Sequence, residues 1–279
     1  MSGTLYVVAT PIGNLEDVTL RALRVLREVA VIAAEDTRRT SRLLQHYSIS
    51  TPTTSLHEHN ERAKTAQVLR RLAAGESVAL VSDAGTPLLS DPGAALVSAA
   101  HAAGIRVEPV PGASALTAAL SGAGFEADAI HFAGFPPAKG TARQRWFERA
   151  AQLAGILVLY EAPHRIRDTL QDLLRRVGNR PCALGRELTK AHEELVVRPI
   201  MDHLAVLREP RGEYTVVLLL AGPEHVHDIP SDDAMLAELG RLTENEGNSR
   251  RQDVKRLAAK YGLRPREVYA RLERAKKIG

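Results

Sequence analysis

One cysteine and few aromatic residues mark this chain of 279 residues. Cys182 alone excludes an intramolecular disulfide and any zinc site built from several thiolates, and it fits a reducing compartment. An apolar run of membrane-spanning length, roughly 18 residues, is also missing; the longest stretches, 155–160 and 216–221, are strand-sized. The first eight residues lack the basic segment and apolar core of a secretory signal. A cytoplasmic location is therefore expected. No Gly-x-Gly-x-x-Gly follows a strand-like run, and neither Gly-x-x-x-x-Gly-Lys-Ser/Thr nor Gly-x-Ser-x-Gly occurs. Those absences remove the dinucleotide or ordinary methyltransferase glycine loop, the P-loop and the nucleophile elbow. His57 and His59 stand in His-Glu-His without metal-ligand spacing or a third ligand, so no metal is expected.

What is present is an ordinary globular composition, 44% hydrophobic and 25% charged, enough for about two domains and an appendage. The net charge is only +4, but it is unevenly placed. Residues 250–279 hold eleven Lys/Arg against three Asp/Glu, whereas 224–249 hold seven acids and one arginine. A basic terminal segment suits a phosphate backbone, although a solvated helix face has the same composition.

Short apolar runs alternate with helical patterns. Strands are expected at 5–10, 31–34, 77–82 and 105–110, with helices at 19–30, through Leu43-Leu44, around Val68-Leu69-Leu72, at 94–103 and from Ser114. A joint at Gly122-Ala123-Gly124-Phe125 precedes a second set. There, strands are expected at 130–134, 155–160, 182–185, 194–200 and 213–220, the later ones antiparallel, with helices near Trp146-Phe147 and at 166–177. The fold class is α/β: two α/β domains, 1–122 and 123–224, followed by a linker at 222–230 and a small helical domain, 231–279. In that tail, helices over 251–261 and 266–277 around Gly262-Leu263-Arg264-Pro265 resemble a helix-turn-helix, with Val254, Leu257, Ala258, Leu263, Val268 and Leu272 as internal contacts.

Ligands of open α/β sheets gather at the carboxyl ends of strands, and the unusual sequence lies there. Ala9-Thr10-Pro11-Ile12-Gly13-Asn14-Leu15 follows the first strand, Glu35-Asp36-Thr37-Arg38 the second, Ser82-Asp83-Ala84-Gly85-Thr86-Pro87 a later one, and Pro111-Gly112-Ala113-Ser114-Ala115 the next. These four ordered motifs resemble the tetrapyrrole-methylase superfamily over about residues 4–222. His57-Glu58-His59-Asn60, Phe135-Pro136-Pro137, Arg186-Glu187-Leu188-Thr189-Lys190 and the basic tail are similar to the branch that methylates ribosomal RNA. Ala113 departs from the proline that relatives often carry there.

The resemblance implies S-adenosylmethionine held in the cleft between the two domains. Pro11, Asp83, Ala84, Gly85 and Thr86 would line that cleft, Ser114, Ala115, Tyr160, Glu161, Ala162 and Pro163 would flank the cofactor, and Leu188 and Thr215 would add weaker contacts. It further implies 2′-O-methylation of a cytidine ribose in the decoding region of 16S rRNA, within the small ribosomal subunit, by a homodimer. Candidate proton acceptors or orienters are Glu35, Asp36, His57, Glu58 and His59, none of them assignable without geometry. Arg38, Arg39, Arg165 and Lys190 are candidates for RNA phosphates, with ordinary surface charge the alternative. Phe135 and Trp146 are candidates for base stacking, with packing against the second domain the commoner role. Tetrapyrrole C-methylation by the same cofactor loops, or RNA binding without catalysis, stand as rival functions.

Overall fold

The computed structural model describes residues 2–57, 59–221, 232–246, 250–260 and 265–278. Two compact units are present, Met1–Ala221 and Gly222–Gly279.

The first unit contains two five-stranded sheets. Its opening half runs β1 (Thr4–Val8), α1 (Leu20–Glu28), β2 (Val31–Ala34), α2 (Thr37–His46), β3 (Thr53–Ser55), α3 (Glu61–Ala73), β4 (Val78–Val81), α4 (Ala94–Ala102), β5 (Arg106–Val110) and α5 (Ala115–Ala123). The first sheet is parallel, in the order β3-β2-β4-β1-β5. Every residue of β2 and β4 is buried, as unbroken apolar strands covered on both faces must be. Pro109 sits in β5, an edge strand, where its missing N–H leaves no gap in the ladder. Helix α1 starts where Thr19 accepts the Ala22 N–H at 3.0 Å, and it turns Ala22, Leu23, Val25 and Leu26 into the core. Burying each such leucine contributes roughly 1.5–3 kcal/mol.

The second half runs β6 (Ile130–Phe132), α6 (Gly140–Ala151), β7 (Ala154–Glu161), α7 (Ile166–Val177), β8 (Pro181–Arg186), β9 (Glu194–Pro199), α8 (Ile200–Val206) and β10 (Tyr214–Ala221). Its sheet is mixed, in the order β6-β7-β10-β8-β9, with β10 antiparallel to both β7 and β8. Leu157, Leu159, Val216 and Leu218 face one core, with α7 supplying Ile166, Leu170 and Leu173. Ile156, Val158, Ala183 and Val217 face the other, covered by α5 through Ala119 and Ala123. Thus α5, which runs across the expected boundary at 122, packs its small residues on the second sheet and stitches the two halves together.

The expected elements recur with ends shifted by one or two residues, and β3, α8 and α9 (Asp232–Glu246) are additions to them. Three residues of intermediate burial carry too little period to announce β3. In the second unit α9 joins α10 (Arg250–Lys260) and α11 (Pro265–Ile278) around Met235, Leu239, Val254, Leu257, Ala258, Val268 and Leu272. The expected linker at 222–230 and the turn residues Gly262, Leu263 and Arg264 lie outside the described residues.

Candidate active site

The carboxyl ends of β1, β2, β4 and β5 open onto a cavity of about 430 Å³ whose other wall comes from β7, β10 and the segment after β8. A cavity of that size suits a cofactor or small ligand.

Two backbone crossings hold the first wall. Thr10 and Gly85 exchange N–H···O bonds of 2.9 and 3.0 Å, joining the ends of β1 and β4. The Asp83 carboxylate accepts the Asp36 N–H at 2.9 Å, and the Asp83 N–H donates to Glu35 Oε2 at 3.3 Å, joining β2 to β4. Beyond them the chain turns tightly. Gly85 has φ +83°, and a Cβ there would lie 3.3 Å from Ile12 Cγ2. Leu88 and Ser90 hold φ of 75° and 73°, left-handed values unfavourable for side-chain-bearing residues. Glu61 Oε1 ends the loop by accepting the N–H groups of Gly93 and Ala95, at 3.0 and 2.9 Å. Asp91 is thereby fixed on the cavity wall by a strained but anchored loop.

Strand register builds the second wall. Thr215 pairs with Tyr160 on one side and Gly185 on the other, so the three residues stand abreast. Strand alternation puts them on the face that α5 covers. The missing side chain at Gly185 makes room for Leu188, whose Cδ2 would lie 3.2 Å from a Cβ there. The Leu116 N–H donates to the Tyr160 hydroxyl at 3.2 Å, tying the start of α5 to β7.

The lining residues include Glu35, Asp83, Asp91, Glu161 and Glu213 against only Arg39 and Lys190. Lys190 Nζ is itself paired with Glu187 and Glu213, at 2.9 and 3.0 Å. Burial pushes the Asp91 carboxyl up to about 6, and the Glu35 and Asp83 charges reinforce this against a Ser82 hydrogen bond. Burial also raises Glu35, although the Asp83 N–H opposes it. The cavity therefore favours a cation and disfavours an anion.

Of the residues implied for the cofactor, Asp83, Ala84, Gly85, Thr86, Ser114, Ala115, Tyr160, Glu161, Leu188 and Thr215 all line this cavity. Pro11 does not, and its neighbour Ile12 stands there instead. Among the described candidate proton acceptors only Glu35 lines it. Asp36 caps α2, accepting the Arg38 N–H at 2.8 Å, and that bond holds its carboxyl below the usual range. His57 folds back onto Asn60, whose Oδ1 accepts the His57 N–H at 2.9 Å. His59 is exposed, and Glu58 lies outside the described residues. Among the described residues no three His, Cys, Asp or Glu side chains gather as metal ligands.

The RNA candidates divide likewise. Arg38 is 92% exposed, and Arg39 lies on the cavity wall 3.5 Å from Asp83. Arg165 is only 20% exposed and is turned inward. It pairs with buried Glu161 at 2.5 Å and donates to the Pro136 carbonyl at 3.2 Å. Phe135 is exposed on the wall, whereas Trp146 packs against the second core. Ala162 and Pro163, implied with Tyr160 and Glu161 to flank the cofactor, line the cavity too, whereas the sequence reading gave Asp91 and Glu213 no cofactor or catalytic role. For Asp91 the signal was available: Ser90-Asp91-Pro92-Gly93 is a second turn only eight residues beyond Asp83.

Residues 4–203 match the family Tetrapyrrole (Corrin/Porphyrin) Methylases. A Pseudomonas aeruginosa protein named ribosomal RNA small subunit methyltransferase I is 50% identical over 252 residues, covering 85% of this chain and 88% of its own length. A Synechocystis protein of the same name is 45% identical over 272 residues, 96% of each chain. Among solved structures, uroporphyrin-III C-methyltransferase from Thermus thermophilus, complexed with S-adenyl homocysteine, superposes with a TM-score of 0.58 at 21% identity, over 78% of this chain and 97% of that one. Diphthine synthase superposes with a TM-score of 0.62 at 14% identity, over 78% and 90%. At those identities the likeness to the solved structures is one of fold. With matches of this extent and identity, the chain belongs to the tetrapyrrole methylase family, in the branch of the ribosomal RNA small subunit methyltransferases I.

Proposed function

We propose that this protein methylates 16S rRNA with S-adenosylmethionine as donor, at the 2′-hydroxyl of a cytidine in the decoding region. The supporting observation is the sign of the cavity: five carboxylates and two cations line it. A cationic donor fits such walls, and the close backbone approach at Gly85, where a Cβ would crowd Ile12, fits a ligand lying along the main chain. Asp83, Ala84, Gly85, Thr86, Ser114 and Ala115 would hold it from one side, and Tyr160, Glu161, Leu188 and Thr215 from the other. When bound, the donor supplies a methyl group already activated on a sulfonium.

The chain's own task is then to align the acceptor oxygen and take its proton. Asp91 and Glu35 suit that task, because both line the cavity and burial raises the proton affinity of each. Asp36 is engaged in capping α2. The acidic wall also requires the phosphates of the substrate to remain outside, so that only a neutral ribose and base approach. It disfavours the rival reading, since a polycarboxylated tetrapyrrole carries the same charge as the wall. In this proposal 1–122 and 123–224 act as two lobes, 231–279 adds basic surface, and the enzyme works as a cytoplasmic homodimer.

Small ribosomal subunits from cells lacking the enzyme, incubated with labelled S-adenosylmethionine and mapped by mass spectrometry, test the reading. Label on one ribose is expected. Label on a base, or only on a tetrapyrrole offered in parallel, would overturn it, and RNA binding without transfer would leave a non-catalytic factor.

A further inference from the structure

We propose that Phe135 is the platform on which the base of the acceptor nucleotide stacks, an inference that rests on the RNA reading above. Three aromatic rings line the cavity wall: Tyr214 is buried, Tyr160 is half-buried, and Phe135 is 52% exposed. The Phe135 ring leans on Tyr160, with centroids 5.6 Å apart and planes at 59°, and Phe132 meets Tyr160 edge-on at 5.0 Å. An isolated exposed phenylalanine is unremarkable on a protein surface. This one stands at the mouth of a functional cavity on a segment that is held from behind.

The holding is specific. Arg165 donates to the Pro136 carbonyl and Arg143 to the Pro137 carbonyl, each at 3.2 Å. Both guanidiniums are themselves fixed, Arg165 on buried Glu161 at 2.5 Å and Arg143 on Asp172 at 2.7 Å. Thr169 completes the network by accepting from Arg143 at 3.0 Å and donating to Glu161 at 2.6 Å. On the other side of Phe135, Gly134 has φ +58°, and a Cβ there would lie 2.9 Å from Ser90 Oγ. Two prolines, two anchored arginines and one glycine that must remain small therefore fix the backbone behind a ring left open to solvent. A platform ordered in advance loses little entropy when a flat ligand covers it.

The surrounding charge selects the ligand. The acidic interior repels phosphates, whereas Lys139 and Arg145, four and ten residues after Phe135 in the chain, are exposed and make no hydrogen bond or ion pair among the described residues. A single-stranded nucleotide suits such a site by keeping its phosphates outside the acidic cavity and laying its base on the ring.

The test uses the full chain with Phe135→Leu, which keeps apolar bulk without a π-face, and Phe135→Trp, which keeps the face. Stacking worth about 1–3 kcal/mol corresponds to roughly 5- to 150-fold in affinity. Phe135→Leu should raise KM for small ribosomal subunits by about fivefold or more, and Phe135→Trp should stay near wild type. Affinity for S-adenosylhomocysteine by calorimetry and the melting temperature should not move in either variant. An unchanged KM in Phe135→Leu, with wild-type methylation intact, would sink the platform and leave the RNA reading standing. A parallel loss of S-adenosylhomocysteine affinity would reassign the ring to the cofactor wall. Failure of the wild type to bind or methylate the subunits would overturn both.

Discussion

Replacing Asp91 by asparagine should make the protein more stable and less active, and both effects should depend on pH in a fixed direction. The Asp91 carboxyl is pushed up to about 6 by burial and by Glu35 and Asp83, from an ordinary 3.8. A carboxyl raised in the folded state contributes its stability below the unfolded value, and that contribution is lost as pH climbs through the folded one. The gap corresponds to roughly 3 kcal/mol at about 1.36 kcal/mol per pH unit. Asp91 is only half-buried, so solvent screening reduces this to about 1–2 kcal/mol. Asparagine carries no charge at any pH. Asp91→Asn should therefore match wild type near pH 4 and exceed it by about 1–2 kcal/mol at pH 8, read as a shift in the urea midpoint at constant slope. In single-turnover methyl transfer, a base titrating near 6 makes the wild-type rate drop about tenfold between pH 7 and pH 5. The variant should be slower at pH 7 and should lose that dependence. A destabilised variant at pH 8 would mean that the carboxylate is a net favourable partner in the fold, and the reasoning from burial would be wrong. A variant that keeps the wild-type pH profile would move the proton acceptor to Glu35.

Other expectations follow from the same geometry. Gly85→Ala, at φ +83° and crowded by Ile12, should cost about 1–3 kcal/mol in thermal or chemical denaturation and weaken S-adenosylhomocysteine binding in calorimetry; wild-type behaviour in both would remove the need for close backbone approach. Arg165→Met leaves Glu161 buried with one cation fewer, so a loss of about 3 kcal/mol in stability is expected, and a variant of full stability with weakened RNA binding would instead restore Arg165 as a phosphate contact. Cutting after Ala221 should lower RNA affinity and flatten its salt dependence while sparing S-adenosylhomocysteine binding, since 250–279 carries the concentrated positive charge. That cut is cleaner than removing 250–279 alone, which would strip Met235 and Leu239 of their covering helices. Unaltered RNA affinity would deny the tail a role.

Legibility in the sequence followed the range of the physics involved. Val31–Ala34 and Val78–Val81 announced themselves because a strand buried on both faces has no polar position to confuse the pattern. The Ser82–Gly93 loop stood out because its glycines, prolines and aspartates are of little use to regular structure. Thr215 and Leu188 were reachable only by resemblance, since what brings them to Tyr160 is the register of β7, β10 and β8, and register is absent from any local window. The roles of Glu35 and Asp36 show the limit most sharply. They are adjacent, both acidic, and both sit at the end of β2, yet one faces the cavity and the other caps the next helix. Successive side chains leaving a strand point to opposite sides, so whichever residue takes up the cap leaves its neighbour to the cleft. Only the packed position of α2 settles which does which. Arg165 is the same case at a distance. Its identity suggested a phosphate, but Glu161, four residues earlier at the end of β7, is buried and needs a cation. In a low-dielectric interior that demand outweighs what an arginine gains from water.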